Sequence, residues 1–215
     1  DAFQHRRVIA GLNILLTEYS NLFTRDFYLP TGDLRDLKSQ YKRAQIIVVT
    51  KCEPEISVDE KEKITKEISP KTGQSIFFTA IQYGKPYHIL NNSGIGITEE
   101  TKVLLVSGIA NPRPLKSWLE KNSKEYHLQQ YADHYIFSID NLKDIRRKFE
   151  SIEGGNKIIL TTEKDAVRLL KFGTEIKDWP LYVMPVRHDF LFGEGQHFDQ
   201  LVTTFIRDFK QNDKN

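Results

Sequence analysis

The amino-acid sequence predicts an α/β fold made of two subdomains. Short apolar runs rich in β-branched residues alternate with charged segments of helical length, the order expected when helices cover a mostly parallel sheet. Runs such as Ile46–Thr50 and Val103–Ser107 are continuously apolar, which favours strands buried on both faces. A polar, glycine-containing stretch at residues 91–101 separates two such sets and divides the chain.

Five strands carry this prediction. They are Leu12–Leu16, Ile46–Thr50, Ile76–Thr79, Val103–Ser107 and Lys157–Thr161. Two segments rich in Tyr, Val and Ile, Pro86–Leu90 and Leu181–Val186, are candidates for a short antiparallel pair that links the subdomains. The predicted domains are therefore residues 1–90, a linker at 91–101, a second α/β subdomain at 102–180, and a linker strand with a C-terminal helix at 181–215.

Five helices are expected between and after these strands. They are Asp59–Ser69, which ends at Pro70; Pro112–Asn122, with Asn111 as N-cap; Leu142–Ile152, followed by Gly154-Gly155; Thr162–Leu170, which opens on a capping-box sequence; and the amphipathic Phe198–Phe209. Their charged or amphipathic character suits helices that cover the faces of a sheet.

The composition excludes several classes of protein. Lys and Arg total 31 against 29 Asp and Glu, so no overall positive field indicates a nucleic-acid partner. The single cysteine, Cys52, cannot form an internal disulfide and suits a reducing compartment. No apolar run approaches the roughly 20 residues that a membrane-spanning helix needs. We expect a soluble, monomeric globular chain.

The first candidate site is the opening run Asp1-Ala-Phe-Gln-His5, which is followed by Arg6. In phosphoryl transfer a carboxylate at a strand end holds Mg²⁺, while neighbouring polar and basic side chains orient phosphate oxygens. Asp1, Gln4, His5 and Arg6 are suitable residue types at suitable spacing. Taken alone, the spacing favours a charged segment that faces water.

The second candidate is Leu29–Asp36, in which Pro-x-Gly predicts a turn before Leu-Arg-Asp. Because a guanidinium binds phosphate in a bidentate way, Arg35 is a candidate phosphate anchor. A loop with a surface Arg35–Asp36 pair is the alternative. The neighbouring aromatics Tyr19, Phe23, Phe27 and Tyr28 either form an apolar contact face or pack beneath this loop.

Two further motifs follow predicted strands of the second subdomain. Ser107–Pro112 comes directly after a buried strand, where a glycine lets the backbone approach a ligand; ordinary capping by Asn111 is the alternative. Tyr131–Tyr135 places His134 beside Asp133, which suggests proton transfer, although adjacent side chains point apart. The alternative there is a packed histidine next to a capping aspartate.

Other catalytic motifs are missing from the 215 residues. The sequence has no Gly-x-x-x-x-Gly-Lys-Ser/Thr, no zinc-ligand spacing and no Gly-x-Ser-x-Gly elbow. We therefore expect that this chain cannot hold a nucleoside triphosphate by the usual phosphate loop.

Taken together in this order, the motifs resemble those of the tetraacyldisaccharide 4′-kinases, the lipid A 4′-kinases of Gram-negative bacteria. The similar segments are Asp1–His5, Leu29–Asp36, Gly108–Pro112, Tyr131–His134 and Thr162–Val167. The resemblance covers residues 1 to about 190, and five ordered motifs are far more specific than any one. It implies a P-loop-NTPase-like parallel sheet whose C-terminal part is residues 1–90, and a smaller second α/β subdomain.

The resemblance also implies the chemistry. The family transfers the γ-phosphate of ATP, with Mg²⁺, to a tetraacyldisaccharide 1-phosphate at the cytoplasmic face of the inner membrane. By position, Asp1 is implied as a catalytic residue and metal ligand, and His134 as a catalytic residue that pairs with an upstream aspartate. The implied substrate- and phosphate-binding residues are Gln4, His5, Arg35, Asp36 and Asn111.

Some family features are absent or altered. The phosphate loop, the first aspartate of the acidic pair, the aspartate partner of His134 and the membrane-associating segment do not occur in the sequence, and Asp36 replaces the usual Glu. We therefore expect the C-terminal two thirds of such a kinase, inactive by itself. Two alternatives remain open: a non-catalytic nucleotide- or sugar-phosphate-binding module, and a kinase of similar architecture that acts on another sugar or a small molecule.

Overall fold

The computed structural model describes residue 7 and residues 10–212. Its strands are β1 Ile14–Glu18, β2 Ile46–Cys52, β3 Ser75–Tyr83, β4 Tyr87–His88, β5 Lys102–Ser107, β6 Glu125–Gln130, β7 Lys157–Thr162, β8 Leu181–Met184 and β9 Val186–Phe190. Its α-helices are α1 Val58–Ile68, α2 Arg113–Asn122, α3 Ile139–Glu150, α4 Glu163–Leu169 and α5 Gly195–Asn212. Short 3-10 helices lie at Lys38–Arg43, Leu170–Phe172 and Leu191–Gly193.

The chain divides into two compact units. Unit 1 comprises residues 1–82 and 187–215, and unit 2 comprises residues 83–186. Within the described part of the chain, no helix combines the length and the hydropathy needed to cross a bilayer.

Unit 1 is built on a sheet with strand order β1-β2-β3-β9, in which β1, β2 and β3 are parallel. Alternate residues of β2 point to opposite faces. Ile47 and Val49 pack with α1 on one face, whereas Ile46 and Val48 pack with α5 and Phe190 on the other. Both faces are therefore covered, which explains the continuous apolar run in β2.

Unit 2 repeats this plan with strand order β4-β8-β7-β5-β6. Strands β5 to β8 are parallel, and β4 pairs antiparallel with β8. Leu104 and Val106 of β5 pack with α3 and α4, while Val103 and Leu105 pack with α2. The carboxyl ends of β5, β6 and β7 thus lie at one edge of the sheet, and the loops that follow them come close together.

The five predicted strands and five predicted helices are present, with shifted ends. Helix α3 begins at Ile139 rather than Leu142, because the side chains of Ser138 and Asn141 form a reciprocal capping box. Strand β6 was not predicted: its side chains alternate between exposed and half-buried, as in an edge strand, and it has no apolar run.

The predicted antiparallel pair is also present, since Tyr87 lies opposite Val183. It is not a linker, however, but the edge of the sheet in unit 2. The predicted strand Leu181–Val186 is interrupted at Pro185, which lacks the N–H needed to continue a ladder. The units consequently divide at residues 82/83 and 186/187, whereas the sequence placed the boundaries at 91–101 and 180/181.

Candidate functional site

The predicted site residues fall into three groups. Asp1, Gln4 and His5 lie outside the described residues, so their roles stay predictions. Arg35 and Asp36 belong to unit 1, and Asn111 and His134 belong to unit 2.

Arg35 and Asp36 line one cavity in unit 1, with a volume of about 420 Å³, beside the carboxyl end of β1. Its other charged lining residues are Glu18, Asp26, Asp33 and Lys38. Asp36 Oδ2 lies 3.7 Å from Arg43 Nη2, an ion pair that holds the carboxylate at the start of the 3-10 helix. The cavity therefore combines cationic donors with several carboxylate acceptors.

The loop of residues 26–37 forms one side of this cavity and is closed on itself. Leu34 N–H donates to Phe27 O at 3.0 Å, and Leu29 N–H donates to Leu34 O at 3.1 Å. A Cβ at Gly32 would overlap the side chain of Asp26 and the carbonyl of Phe27. Only glycine fits there without rearrangement, which is the physical reason for the Pro-x-Gly turn.

The four aromatic residues near this loop behave in two different ways. Tyr19 and Phe23 pack against the buried core of unit 1. Phe27 and Tyr28 keep 66% and 46% of their surface exposed, and Leu29 keeps 55%. Tyr19 and Phe23 are thus packed inside unit 1, whereas Phe27 and Tyr28 form an exposed apolar surface together with Leu29.

A second polar cluster in unit 1 was missed by sequence reasoning. Near the carboxyl ends of the strands, Lys51 pairs with Glu18, and Thr79 Oγ1 lies 3.2 Å from His188 Nδ1. Lys51 adopts a left-handed conformation with φ of 57°. Burial, with a contribution from the charge of Lys51, lowers the pKa of His188. The sequence feature that could have indicated this cluster is that Glu18 and Lys51 each lie just after a predicted strand.

The thiol of Cys52, next to Lys51, is buried, which raises its pKa to about 11 and makes it a poor nucleophile.

His134 lies on the loop after β6 in unit 2, with 76% of its side chain exposed. The alternative interpretation of His134 as a packed histidine is therefore wrong. Its backbone is left-handed, with φ of 60°, and its N–H donates to Asp133 Oδ1 at 3.0 Å. Asp133 Oδ2 is 3.7 Å from His134 Nε2, too far for a hydrogen bond. Arg168 Nη2 is closer, at 3.2 Å from Nδ1.

Asp165 connects this loop with two others. Its side chain is fully buried, and its Oδ2 accepts from Gly108 N–H at 2.9 Å and from Thr162 Oγ1 at 2.8 Å. Its Oδ1 accepts from Arg168 Nη1 at 3.0 Å. The three loops after β5, β6 and β7 are thus joined through one carboxylate and one guanidinium.

The Thr162–Asp165 capping box is only half formed. Thr162 Oγ1 accepts from Asp165 N–H, as predicted, but the Asp165 carboxylate accepts from the side chain of Thr162 and from Gly108 instead of closing the box. Asn111 has a structural contact, since its Oδ1 accepts from Arg113 N–H at 3.2 Å, although Pro112 occupies the N-cap position. Asp165 was not predicted to join these loops, although it lies in the Thr162–Val167 motif, and Arg168, which follows that motif, was not singled out.

Comparisons with known proteins agree with the motif order. A profile of the family described as tetraacyldisaccharide-1-P 4′-kinase matches residues 1–207. A relative named tetraacyldisaccharide 4′-kinase from Flavobacterium johnsoniae is 39% identical over 213 residues, which cover 97% of this chain and 58% of the relative. One of the same name from Bacteroides fragilis is 34% identical over 222 residues, covering 99% of this chain and 59% of the relative.

The fold has a solved counterpart. LpxK from Aquifex aeolicus, in complex with ATP, superposes with a TM-score of 0.61 at 21% identity, covering 95% of this chain and 56% of the other. The predicted α/β class is thereby confirmed. The chain spans about 59% of the length of the curated relatives that it matches. On the extent of the profile match and the identity to these relatives, the chain belongs to the tetraacyldisaccharide-1-P 4′-kinase family.

Proposed function

We propose that the protein containing this chain transfers the γ-phosphate of ATP to the 4′-hydroxyl of a tetraacyldisaccharide 1-phosphate, a precursor of lipid A. The observation that carries the proposal is the match of the family profile to residues 1–207, together with five ordered segments that resemble the family's motifs. The relatives' shared name supports the reaction, and the ATP complex of the Aquifex protein supports the nucleotide.

The cavity in unit 1 suits the substrate's sugar-phosphate headgroup. Arg35 supplies a guanidinium, whose paired N–H groups match phosphate oxygens. The carboxylates of Asp26, Asp33 and Asp36 supply acceptors for sugar hydroxyls. A volume of about 420 Å³ falls within the usual range for small-molecule sites and leaves no room for four acyl chains. The acyl chains would therefore lie outside the cavity.

The exposed apolar side chains of the adjoining loop suit those acyl chains. Phe27, Tyr28 and Leu29 belong to the loop that lines the cavity, and Leu37, at its end, is 58% exposed. An apolar surface beside a headgroup site is the arrangement that a lipid substrate requires. On this basis we propose that the protein acts at a membrane surface. Following the family resemblance, that surface is the cytoplasmic face of the inner membrane, and we propose that the protein acts there as a monomer.

ATP and Mg²⁺ are the proposed cofactors. ATP supplies the phosphoryl group, and Mg²⁺ neutralises the charge that develops on it. Among the described residues, no group of three His, Cys, Asp or Glu side chains is arranged to hold a metal ion. Following the family resemblance, we propose Asp1, a hard oxygen donor of the type that Mg²⁺ prefers, as the metal ligand, and Gln4 and His5 as lining residues of the phosphate site.

His134 is the proposed catalytic residue of unit 2. An exposed imidazole on a loop at the carboxyl edge of a parallel sheet is available to a partner outside the unit. In the proposal it pairs with the aspartate that activates the 4′-hydroxyl. Asn111 follows the neighbouring strand and is exposed, so it stays a proposed contact for substrate or phosphate.

The test is transfer of labelled γ-phosphate from ATP to purified tetraacyldisaccharide 1-phosphate by the complete protein that the gene encodes. We expect Mg²⁺-dependent formation of the bisphosphorylated lipid. The 215-residue chain, assayed in parallel, is predicted to transfer none, because its sequence lacks a phosphate loop. Headgroup binding without transfer by the complete protein would favour the binding-module alternative, and transfer to a non-acylated sugar alone would favour a different kinase substrate.

A further inference from the structure

The motif Thr162–Val167 has no task in the proposed reaction, yet it contains the fully buried carboxylate of Asp165. Burying a carboxylate is unfavourable unless charged and hydrogen-bonding partners replace water. Asp165 has such partners in Gly108 N–H, Thr162 Oγ1 and Arg168 Nη1. An apolar side chain at position 165 would be buried at a lower cost in free energy than this carboxylate. We therefore looked for a role of Asp165 beyond packing.

Arg168 extends from this buried anchor toward the surface. Its side chain is 22% exposed, and its two terminal nitrogens point to different partners: Nη1 to Asp165 Oδ1 at 3.0 Å, and Nη2 to His134 Nδ1 at 3.2 Å. Because the guanidinium is planar and rigid, fixing one nitrogen restricts the position of the other. The buried carboxylate thus determines where a donor is presented to His134.

This contact also selects the form of the imidazole ring. A guanidinium donates hydrogen bonds and cannot accept them, so Nδ1 of His134 must be the acceptor. In the neutral ring the proton is then on Nε2, and Nε2–H is the group left to donate to another partner. A ring that donates from Nε2 is the form that can bind and orient a carboxylate.

The remaining contacts of His134 constrain its backbone more than its ring. Its N–H donates to Asp133, and Tyr135 N–H donates to Ala132 O at 3.2 Å in the same turn. Tyr131 and Tyr135 stack beneath the turn with ring centroids 4.7 Å apart. Asp133 Oδ2 stays 3.7 Å from Nε2 of the ring, so the hydrogen bond from Arg168 to Nδ1 is the contact that can orient it.

We propose that Arg168 is a positioning residue that fixes the orientation and tautomer of His134, and that Asp165 is the buried anchor that holds Arg168 in place. The inference rests on the proposed role of His134 in the kinase reaction. It assigns to the Thr162–Arg168 segment the support of His134, in the way that outer-shell carboxylates orient catalytic histidines.

The first experiment needs no activity. We would record ¹⁵N NMR signals of the His134 ring in the 215-residue chain, above the pH at which it is protonated, and compare Arg168→Met with Arg147→Met. Arg147 is the matched control, a surface arginine of unit 2 whose Nη1 pairs with Asp144 at 3.1 Å. We expect the hydrogen-bonded Nδ1 acceptor signal of the native chain to persist in the control and to move toward free imidazole in Arg168→Met. Unchanged His134 signals in Arg168→Met would overturn the proposal.

The second experiment is a double-mutant cycle in the complete protein with His134→Ala and Arg168→Met. We expect Arg168→Met to lower kcat about 10- to 100-fold with little change in KM, and to have no further effect once His134 is alanine. Equal losses in both backgrounds would show that Arg168 acts independently of His134 and would overturn the proposal. Full activity of His134→Ala combined with altered ring signals in Arg168→Met would instead remove His134 from the proposed reaction and leave its positioning intact.

A third variant separates positioning from folding. Arg168→Lys keeps a positive charge beside Asp165 but cannot reach both partners with a rigid fork. We expect it to restore the amide spectrum and stability that Arg168→Met loses, without restoring kcat. Recovery of kcat by lysine would show that charge alone suffices and would overturn the positioning role.

Discussion

Unit 1 and unit 2 are both built on largely parallel sheets covered by helices, yet they hold their loops in place by different means. In unit 1 the loop beside the cavity is anchored at the surface: Arg25 forms a two-pronged pair with Glu67, and their side chains are 57% and 31% exposed. In unit 2 the loops are joined through Asp165, whose side chain is fully buried.

The difference matters because surface ion pairs contribute little to stability, whereas a buried charge that loses its partners is costly. The loop in unit 1 depends little on its ion pair, and it presents exposed apolar groups and a polar cavity that suit binding. The loops in unit 2 are held in one arrangement. Substitutions should accordingly affect substrate binding in unit 1, and stability together with the orientation of His134 in unit 2.

The largest expected effect is on unit 2. Asp165→Ala leaves the Gly108 N–H and the Arg168 guanidinium without their acceptor, so we expect a loss of about 3 kcal/mol in the free energy of unfolding. Trp118 and Trp179 are the only tryptophans of the chain, and both belong to unit 2. Urea unfolding followed by tryptophan fluorescence therefore reports on this unit.

The matched control for Asp165 is Asp144→Ala, which removes a carboxylate that is 55% exposed and paired with Arg147. We expect it to change stability by less than about 0.5 kcal/mol. Similar losses for the two variants would remove the distinction between buried and surface anchoring.

The next effect is on binding in unit 1. Arg35→Met removes the cationic group proposed to bind the substrate's phosphate, and a charged hydrogen bond is worth about 1.5–3 kcal/mol. We expect KM of the complete protein for the disaccharide to rise roughly 10- to 100-fold, with KM for ATP unchanged. Lys66→Met, on an exposed side chain of the same unit, is the control. An equal rise in KM for ATP would place Arg35 at the nucleotide instead.

The exposed loop residues test the lipid contact. Phe27→Ser combined with Leu29→Ser removes two apolar groups, and we expect binding of the complete protein to anionic phospholipid vesicles to fall about tenfold. Val58→Ser is the control, since Val58 is 60% exposed and is the first residue of α1, outside the loop of residues 26–37. If the double variant and Val58→Ser weakened vesicle binding equally, the loop would have no special part in vesicle binding.

A smaller effect distinguishes two glycines of unit 2. A Cβ at Gly108 would lie 3.1 Å from both Ala132 O and Asp165 Oδ1, whereas one at Gly155 would meet no atom within 4 Å. Both neighbours of Gly108 are held by the hydrogen-bonded loops, so we expect Gly108→Ala to destabilise by about 1 kcal/mol. Gly155→Ala should be close to neutral. Equal unfolding midpoints in urea for Gly108→Ala and Gly155→Ala would indicate that the loops rearrange to accommodate a Cβ at Gly108 with little loss of stability.

The same contrast explains what the sequence could predict. Strands β2, β5 and β7 were predicted because burial on both faces produces continuous apolar runs. The edge strand β6 has one exposed face and no such run. The helix cap by Thr162 was predicted because it joins residues close in sequence. The hydrogen bond that the Asp165 carboxylate accepts from Gly108 was not predicted. Its acceptor contact with Gly108 spans 57 residues and depends on the pairing of β5 with β7.

The smallest expected effect concerns His188 in unit 1. Burial first, and the nearby charge of Lys51 second, disfavour its protonated form, so we expect an NMR titration midpoint below the ordinary value of 6.5. Since the unfolded chain takes up this proton more readily, the group's contribution to stability is present above that value and is lost as pH falls.

Lys51→Met removes the repulsion and frees the Glu18 carboxylate with which Lys51 pairs, so the midpoint of His188 should rise. It should not reach the ordinary value, because burial remains the larger cause. A midpoint of His188 that stays fixed in Lys51→Met would mean that the charge of Lys51 does not act on His188 and that burial alone lowers its pKa.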